Sequence, residues 1–321
     1  MPELPEVETI RRGLQQVIVG KRIEKFESRD PKVIQFDKKD IEGMLVVNIE
    51  RRAKILIFHL SKSVPVLPPP PTPPRAGGEF SGAGKVLLCH LKMTGQLIWE
   101  EKAGTSDFQL KKSRVAGGHP SPDWVAKLPN SYTRAIFTFD DKSVLFFNDL
   151  RRFGYLKLYN TKDLAELTEL KKLGPEPFDS RSGQASSEFN VEYLMRRAAK
   201  IPNRKIKQFI TDQEVISGVG NIYVDEALFY AGILPTRQVK DIQLSEWKKI
   251  NGSIIEALEL GLKYGGSSED TYVDAFGNQG TMNEHTKVYR KTGQPCQVCD
   301  TKIERITLGG RGTHFCPKCQ N

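Results

Sequence analysis

Apolar residues recur at helical spacing just after the start of the chain: Val7, Ile10, Leu14, Val17 and Ile18, with Thr9, Arg11, Arg12 and Gln15 between them. That period predicts an amphipathic helix with one buried stripe. The pattern then shortens. Gly43 to Glu50, Lys54 to Leu60, Lys85 to His90, Tyr132 to Phe139 and Val144 to Phe147 are brief runs rich in β-branched and aromatic residues, and they predict strands. Asp140-Asp141, between the last two, reads as a hairpin turn. Helical spacing returns after Leu158. Leu164, Leu167, Leu170 and Leu173 predict a short helix closed by Gly174-Pro175, and a linker follows to about Glu188. Further helices are expected over Val191 to Ala199, Asn203 to Phe209, Tyr223 to Ala231 and Ser245 to Leu262. The layout is therefore a β-domain over 1–160, a linker over 161–188, a helical domain over 189–290 and a cysteine-bearing hairpin over 291–321.

Two stretches break the strand pattern. Ser61 to Gly84 contains Pro68-Pro69-Pro70-Pro71-Thr72-Pro73-Pro74, and Glu101 to Asn130 is rich in Lys, Gly, Ser and Pro. Both are expected to loop out from hairpin ends, the first as a polyproline-like tether.

Composition narrows the class. The chain has 321 residues, 38% hydrophobic and 27% charged, enough for two or more globular domains. Lys and Arg number 48 against 39 Asp and Glu, a net charge of +9 that suits a polyanionic partner. A ribosome-associated or membrane-surface protein would carry the same balance. The opening Met1-Pro2-Glu3-Leu4-Pro5-Glu6 is acidic and proline-broken, unlike a signal peptide, and no run has membrane-spanning length. Cytoplasmic location is expected.

The cysteines carry the strongest local signal. Cys296 and Cys299 form one pair and Cys316 and Cys319 a second, with sixteen residues between the pairs. Four thiolates at that spacing predict one structural zinc ion, with no ligand position left for catalysis. Between the pairs, Leu308-Gly309-Gly310-Arg311-Gly312-Thr313 offers one arginine among glycines, suited to a phosphate. Cys89, alone in a hydrophobic strand, is expected to be a buried thiol.

Other residues suggest chemistry more weakly. Pro2 would gain a secondary α-amine if Met1 is removed, and an α-amine titrates far below a lysine. Glu3 beside it can move a proton, and Glu6 can support the terminus. Lys54 sits in Arg51-Arg52-Ala53-Lys54, whose bland reading is a surface charge cluster. Met93 and Phe153 lie in His90-Leu91-Lys92-Met93-Thr94-Gly95 and Arg151-Arg152-Phe153-Gly154; each reads equally well as core or as an exposed wedge for a base stack. Ser217-Gly218-Val219-Gly220-Asn221 reads as a two-glycine turn into a new helix near Asn221, whose free amides can hold a phosphate, with Lys207 on the same unit.

Taken together, Pro2-Glu3-Leu4-Pro5-Glu6-Val7-Glu8-Thr9, the motifs around Lys54, Met93 and Phe153, Gly174-Pro175-Glu176-Pro177, Gly218-Val219-Gly220-Asn221-Ile222-Tyr223 and the cysteine pairs resemble the formamidopyrimidine-DNA glycosylases. The resemblance runs from residue 2 to 320 and leaves out only the two insertions. It implies an α+β chain: an N-terminal β-sandwich with flanking helices, a helix-two-turn-helix domain and a zinc hairpin. It implies a monomer of the bacterial cytoplasm, associated with the nucleoid. Its partner would be double-stranded DNA containing oxidised purines or abasic sites, and its activity glycosylase and β,δ-lyase. Pro2 would be the nucleophile and Glu3 the general acid/base, with Lys54 and Arg311 in the catalytic set. Lys207, Asn221, His90, Met93, Arg151, Arg152 and Phe153 would contact DNA, Glu6 and Glu176 would support the site, and Gly265 to about Thr286 would be a loop closing over the flipped base. Two other readings stand beside it. The pyrimidine-directed endonuclease VIII cousin usually begins Pro-Glu-Gly-Pro-Glu, where this chain has Leu4; a non-catalytic lesion-binding relative would lack the Pro2-Glu3 pair, which is intact here.

Overall fold

The computed structural model describes residues 1–63, 84–101, 128–178, 185–268 and 279–321. The proline-rich run and most of Glu101 to Asn130 lie outside these residues. The chain divides into two compact units. One comprises Met1–Pro2, Val7–Leu167 and Ser268–Gly280; the other comprises Glu3–Glu6, Thr168–Ser267 and Thr281–Asn321.

The first unit holds two sheets. Strands β1 (Ile23–Ser28), β7 (Thr133–Phe139), β8 (Val144–Asp149) and β6 (Gly95–Glu100) form one, in the order β1-β7-β8-β6. Strands β2 (Ile34–Gln35), β9 (Tyr155–Asn160), β5 (Lys85–His90), β4 (Ile55–Ser61) and β3 (Leu45–Arg52) form the other, in the order β2-β9-β5-β4-β3. Strand β7 shows why the sheets face each other: Thr133, Ala135, Phe137 and Phe139 alternate inward along a period of two. They meet Leu56, Phe58, Leu87 and Leu156 of the other sheet in one core, a β-sandwich. Helix α1 (Leu4–Ile18) adds Val7, Ile10, Leu14 and Ile18 to that core, while Val17 is only partly buried.

In the five-stranded sheet, Ile55 pairs with His90 and His90 with Tyr155, so the start of β4, the end of β5 and the start of β9 share one sheet end. Strand β2 runs parallel to β9, with Ile34 opposite Leu156, and its approach lies at that same end. One edge therefore displays, in order, Lys54, the His90–Met93 loop, Phe153 and Lys32.

The periodicity missed β1, β2, β6 and β9. Ile23-Glu24-Lys25-Phe26-Glu27-Ser28 has too few apolar positions to declare a strand, and β2 is only two residues long. The leucine run is not one helix: a 3₁₀ segment covers Thr161–Glu166 and a single α-turn, α2, covers Thr168–Lys171. The predicted helix from Asn203 begins only at Ile206.

The second unit is helical: α3 (Val191–Ala198), α4 (Ile206–Ile210), α5 (Asn221–Ala231), α6 (Leu244–Lys263) and the short α7 (Met282–His285). Asn190 caps α3 by accepting from the Tyr193 amide at 2.9 Å. Helix α5 is buried almost all round and stops at Gly232, whose φ of +72° fits a left-handed cap. Strands β10 (Glu304–Leu308) and β11 (Arg311–Phe315) form the cysteine hairpin, which shares a small core with Phe229 of α5.

Candidate active site

Glu3 belongs to the helical unit by its contacts. The Ile222 amide, in the first turn of α5, donates to Glu3 Oε1 at 3.0 Å. A Cβ at Gly220 would come within 2.4 Å of the carboxylate, so only glycine admits it there. Glu3 Oε2 is buried with no hydrogen-bond partner among the described residues. This helix end, expected to offer its amides to a phosphate, thus spends one of them on Glu3. Glu6 fixes the same segment: it accepts from the Glu3 amide at 2.8 Å, the Tyr223 hydroxyl at 2.6 Å and the Ser267 amide at 2.7 Å. Burial, and then the charge of Glu3, push the Glu6 carboxyl up from its usual range. Pro2, immediately before Glu3, is buried. Glu176 is buried too, in a segment whose Pro175 carbonyl accepts from the Ser217 amide at 3.1 Å.

In the β-sandwich, Lys54 follows Ala53, whose φ of +54° turns the β3–β4 hairpin. The surface-cluster reading of Arg51-Arg52-Ala53-Lys54 does not hold: Arg51 and Lys54 are both buried. Arg51 donates to Glu8 at 3.0 Å and to the Ala53 carbonyl at 2.9 Å, which fixes the hairpin that presents Lys54.

Two loops carry the apolar tips. Met93 is 44% exposed and Phe153 57%, so neither is core. Buried Asp149 ties the loops together. It accepts from the Thr94 hydroxyl and from the amides of Arg151 (3.2 Å) and Gly154 (2.7 Å). The Arg151 amide also donates to Thr94 Oγ1 at 3.0 Å, and its guanidinium lies 3.4 Å from the Met93 sulfur. Added Cβ atoms at Gly95 and Gly154 would strike the Leu91 backbone at 2.5 Å and Asp149 at 3.0 Å.

Four expected DNA contacts have protein partners in the structure. The His90 Nδ1 accepts from the Lys92 amide at 3.0 Å, and burial followed by the Lys92 and Lys54 charges lowers its pKa to about 3. His90 is therefore a neutral N–H donor at Nε2, not a cation. The Arg152 fork is closed on buried Asp30, with Nη2 at 2.9 Å from Oδ1, so it braces the loop. Lys207 is buried and donates to the Gly312 carbonyl at 3.0 Å and to Thr313 Oγ1 at 2.9 Å, with Asp225 at 2.7 Å. Burial pushes the Lys207 ammonium down, and Asp225 opposes that shift. Asn221 points its Nδ2 at the same Gly312 carbonyl, 3.0 Å away. Lys207 and Asn221 thus hold the hairpin tip. Asp225, which the sequence reading passed over, also accepts from the His314 amide at 2.9 Å. A carboxylate inside the apolar run Ile222 to Phe229 was the available signal, since a buried charge needs a partner.

Arg311 is exposed at the start of β11. Gly309 (φ +58°) and Gly310 (φ +75°) form the preceding turn, as a tight hairpin with two left-handed residues requires. The four cysteine sulfurs lie within 4.8 Å of one another, with Cys296 and Cys319 at 3.9 Å and Cys299 and Cys316 at 3.4 Å. A tetrahedral zinc–thiolate centre has edges of roughly 3.8 Å, so the set fits one ion. Cys89 is fully buried, as expected. Of the predicted closing loop, residues 269–278 lie outside those described; its two ends meet at the Ser267–Thr281 bridge.

Sequence comparison agrees with this arrangement. Residues 1–156 match the formamidopyrimidine-DNA glycosylase N-terminal domain, 173–273 the formamidopyrimidine-DNA glycosylase H2TH domain, and 293–321 the zinc finger found in FPG and IleRS. A formamidopyrimidine-DNA glycosylase of Streptococcus pneumoniae is 34% identical over 324 residues, covering 100% of this chain and 99% of the relative. The chain belongs to the formamidopyrimidine-DNA glycosylase family. Another relative, from Exiguobacterium, is 33% identical over 325 residues, again with 100% and 99% coverage. Among solved structures, a Lactococcus lactis FPG mutant complexed with a Fapy-dG containing DNA superposes with a TM-score of 0.78 at 30% identity, covering 100% of both chains. A MutM complex with carbocyclic 8-oxo-G containing DNA gives 0.77 at 30% identity, also with 100% of both chains covered. As a member of this family the chain is a bifunctional base-excision enzyme, a DNA glycosylase and abasic-site lyase for oxidised purines. The cysteine cluster is its structural zinc site.

Proposed function

We propose that Pro2, freed by removal of Met1, is the nucleophile and that Glu3 is its proton shuttle. The observation that carries this reading is the asymmetry of Glu3: one carboxylate oxygen is anchored on the Ile222 amide, the other is buried and unengaged by the described residues. A carboxylate so held keeps its position while it takes and returns a proton.

The target carbon is hidden in a duplex, so the damaged nucleotide is turned out of the stack. Met93 and Phe153 fill the gap, and Arg151 addresses the opposite base. The Pro2 nitrogen bonds to C1′ as the C1′–base bond breaks and the base leaves with a proton. Glu3 delivers a proton to the ring oxygen, the C1′–O bond opens, and an iminium ion forms on Pro2. That cation acidifies the C2′ hydrogen. Its loss expels the 3′ phosphate, a second elimination expels the 5′ phosphate, and water releases the sugar remnant from Pro2. Lys54 and Arg311 neutralise the phosphates beside the lesion. Zinc supplies no step; its thiolates hold the hairpin that carries Arg311.

Pro2-Glu3 followed by Leu4, with Met93 in its loop, favours the purine-directed reading over the endonuclease VIII one. The enzyme acts as a monomer on double-stranded DNA in the bacterial cytoplasm, at the nucleoid. Borohydride trapping on an 8-oxoguanine duplex tests the assignment. Wild type is expected to form a covalent adduct, and Pro2→Gly to lose most of it while still binding an abasic duplex. Normal trapping by Pro2→Gly would remove Pro2 from the mechanism. A wild type that binds without any adduct would mark a lesion-binding protein.

A further inference from the structure

An open groove of about 520 Å³ is lined by Met93 and Phe153 together with Lys32, Gln35, Lys92 and Lys157. No carboxylate is among its lining residues. Asp30 beneath it is buried and committed to Arg152, and its Oδ1 also receives the Lys32 amide at 3.1 Å. That bond holds the approach to β2 against the Arg152 loop. The Lys157 and Lys92 ammoniums lie 4.8 Å and 5.9 Å from the centre of the Tyr155 ring, which keeps both beside the groove. Lys32 and Gln35 are exposed.

Position in the sheet decides what this groove faces. Along the shared sheet end, Lys54 precedes β4, Met93 follows β5, Phe153 precedes β9, and Lys32 precedes β2, which ends at Gln35. The apolar tips thus stand between Lys54, before β4, and Lys32, before β2, with Lys157 of β9 paired to Gln35. From β4 to β2 is three strand spacings, about 14 Å, wider than the roughly 6 Å minor groove of undeformed DNA and suited to a duplex opened by a wedge. In the proposed mechanism Lys54 neutralises a phosphate of the damaged strand. A wedge inserted between two strands leaves the other strand on its other side.

We infer that the groove formed by Lys32, Gln35, Lys92 and Lys157 is a binding site for the phosphodiester backbone of the undamaged strand, opposite the lesion. This inference rests on the proposed function for the assignment of Lys54 and the wedge. The groove acts through charge and places the complementary strand while the damaged nucleotide is out of the stack.

The test uses the full-length protein and duplexes carrying a tetrahydrofuran abasic analogue, titrated over a range of salt. One duplex is fully charged. A second carries neutral methylphosphonates across three linkages of the undamaged strand opposite the lesion. A third carries them in the damaged strand. The Lys32→Ala/Lys157→Ala variant truncates one exposed and one half-buried side chain, and its melting curve verifies folding. It is expected to bind the charged duplex about tenfold more weakly than wild type, with a salt slope shallower by roughly one to two contacts. It should lose little more on the second duplex, yet remain sensitive on the third. Unchanged binding to the charged duplex, or equal further losses on the second, would overturn the proposal. Insensitivity confined to the third duplex would also overturn it, by assigning the groove to the damaged strand. Borohydride trapping of wild type on 8-oxoguanine reports separately on Pro2, so a failure of that reading is seen apart from a failure here.

Discussion

The ammonium of Lys207 lies 2.7 Å from Oδ1 of Asp225, with both side chains buried. Through Lys207 the pair holds Gly312, the residue after Arg311. Removing one member leaves a buried charge without compensation, which costs about 3–5 kcal/mol; removing both costs much less. Asp225→Asn should therefore be strongly destabilised in urea, Lys207→Met/Asp225→Leu less so. Both should retain one zinc, since no sulfur ligand is altered. Equal stability of Asp225→Asn and wild type would show that the pair holds nothing.

Glu3→Gln keeps an oxygen for the Ile222 amide but has no proton to exchange. It is expected to bind an abasic duplex within a few-fold of wild type and to lose at least about a hundredfold in excision, the usual scale of a general acid/base. Single-turnover excision beside a binding titration measures this. A parallel loss in both would mean that Glu3 only positions the segment.

Met93→Ala and Phe153→Ala should hurt excision from an intact duplex far more than strand cleavage at a preformed abasic site. Unstacking costs a few kcal/mol only where a base must be extruded. Equal losses on the two substrates would remove the wedge role. Arg151→Ala should narrow the difference in rate between opposite bases, because an arginine fork reads a base edge.

Cys316→Ser is expected to lose zinc and DNA affinity together while the β-sandwich stays folded. Arg311→Ala should keep its zinc and bind with a salt slope shallower by about one contact. Elemental analysis and salt-dependent titration decide both, and a zinc-free Cys316→Ser protein of normal affinity would break the link between metal and binding.

His90 is held neutral with a pKa near 3, against an ordinary value of 6.5. Between those values the unfolded chain binds the proton and the folded one does not, so acidification below about pH 6.5 lowers stability. The slope from this residue is below about 1.4 kcal/mol per pH unit. His90→Asn retains a side-chain acceptor for the Lys92 amide and should lose less stability between pH 7 and pH 4.5 in urea unfolding. Identical pH dependence of the two proteins would contradict a neutral, half-buried imidazole.

Local sequence determined a great deal here. The heptad-like stripe Val7, Ile10, Leu14 and Ile18 formed the helix it predicted, the five apolar runs formed strands, and two cysteine pairs sufficed for the zinc centre. These are short-range facts, set by side-chain period and ligand spacing. Tertiary structure decided what the charged residues do. Arg51 reads in sequence as part of a surface charge cluster, and Arg152 and Lys207 as DNA contacts, yet each is closed on a carboxylate 43, 122 or 18 positions away: Glu8, Asp30 and Asp225. No local pattern encodes such a pair, because burial and the partner's approach come only with packing. The same holds for the sheet order that sets Lys54, Met93, Phe153 and Lys32 in one row. That order depends on pairing between distant strands, and it is what brings scattered motifs to one end of the sheet.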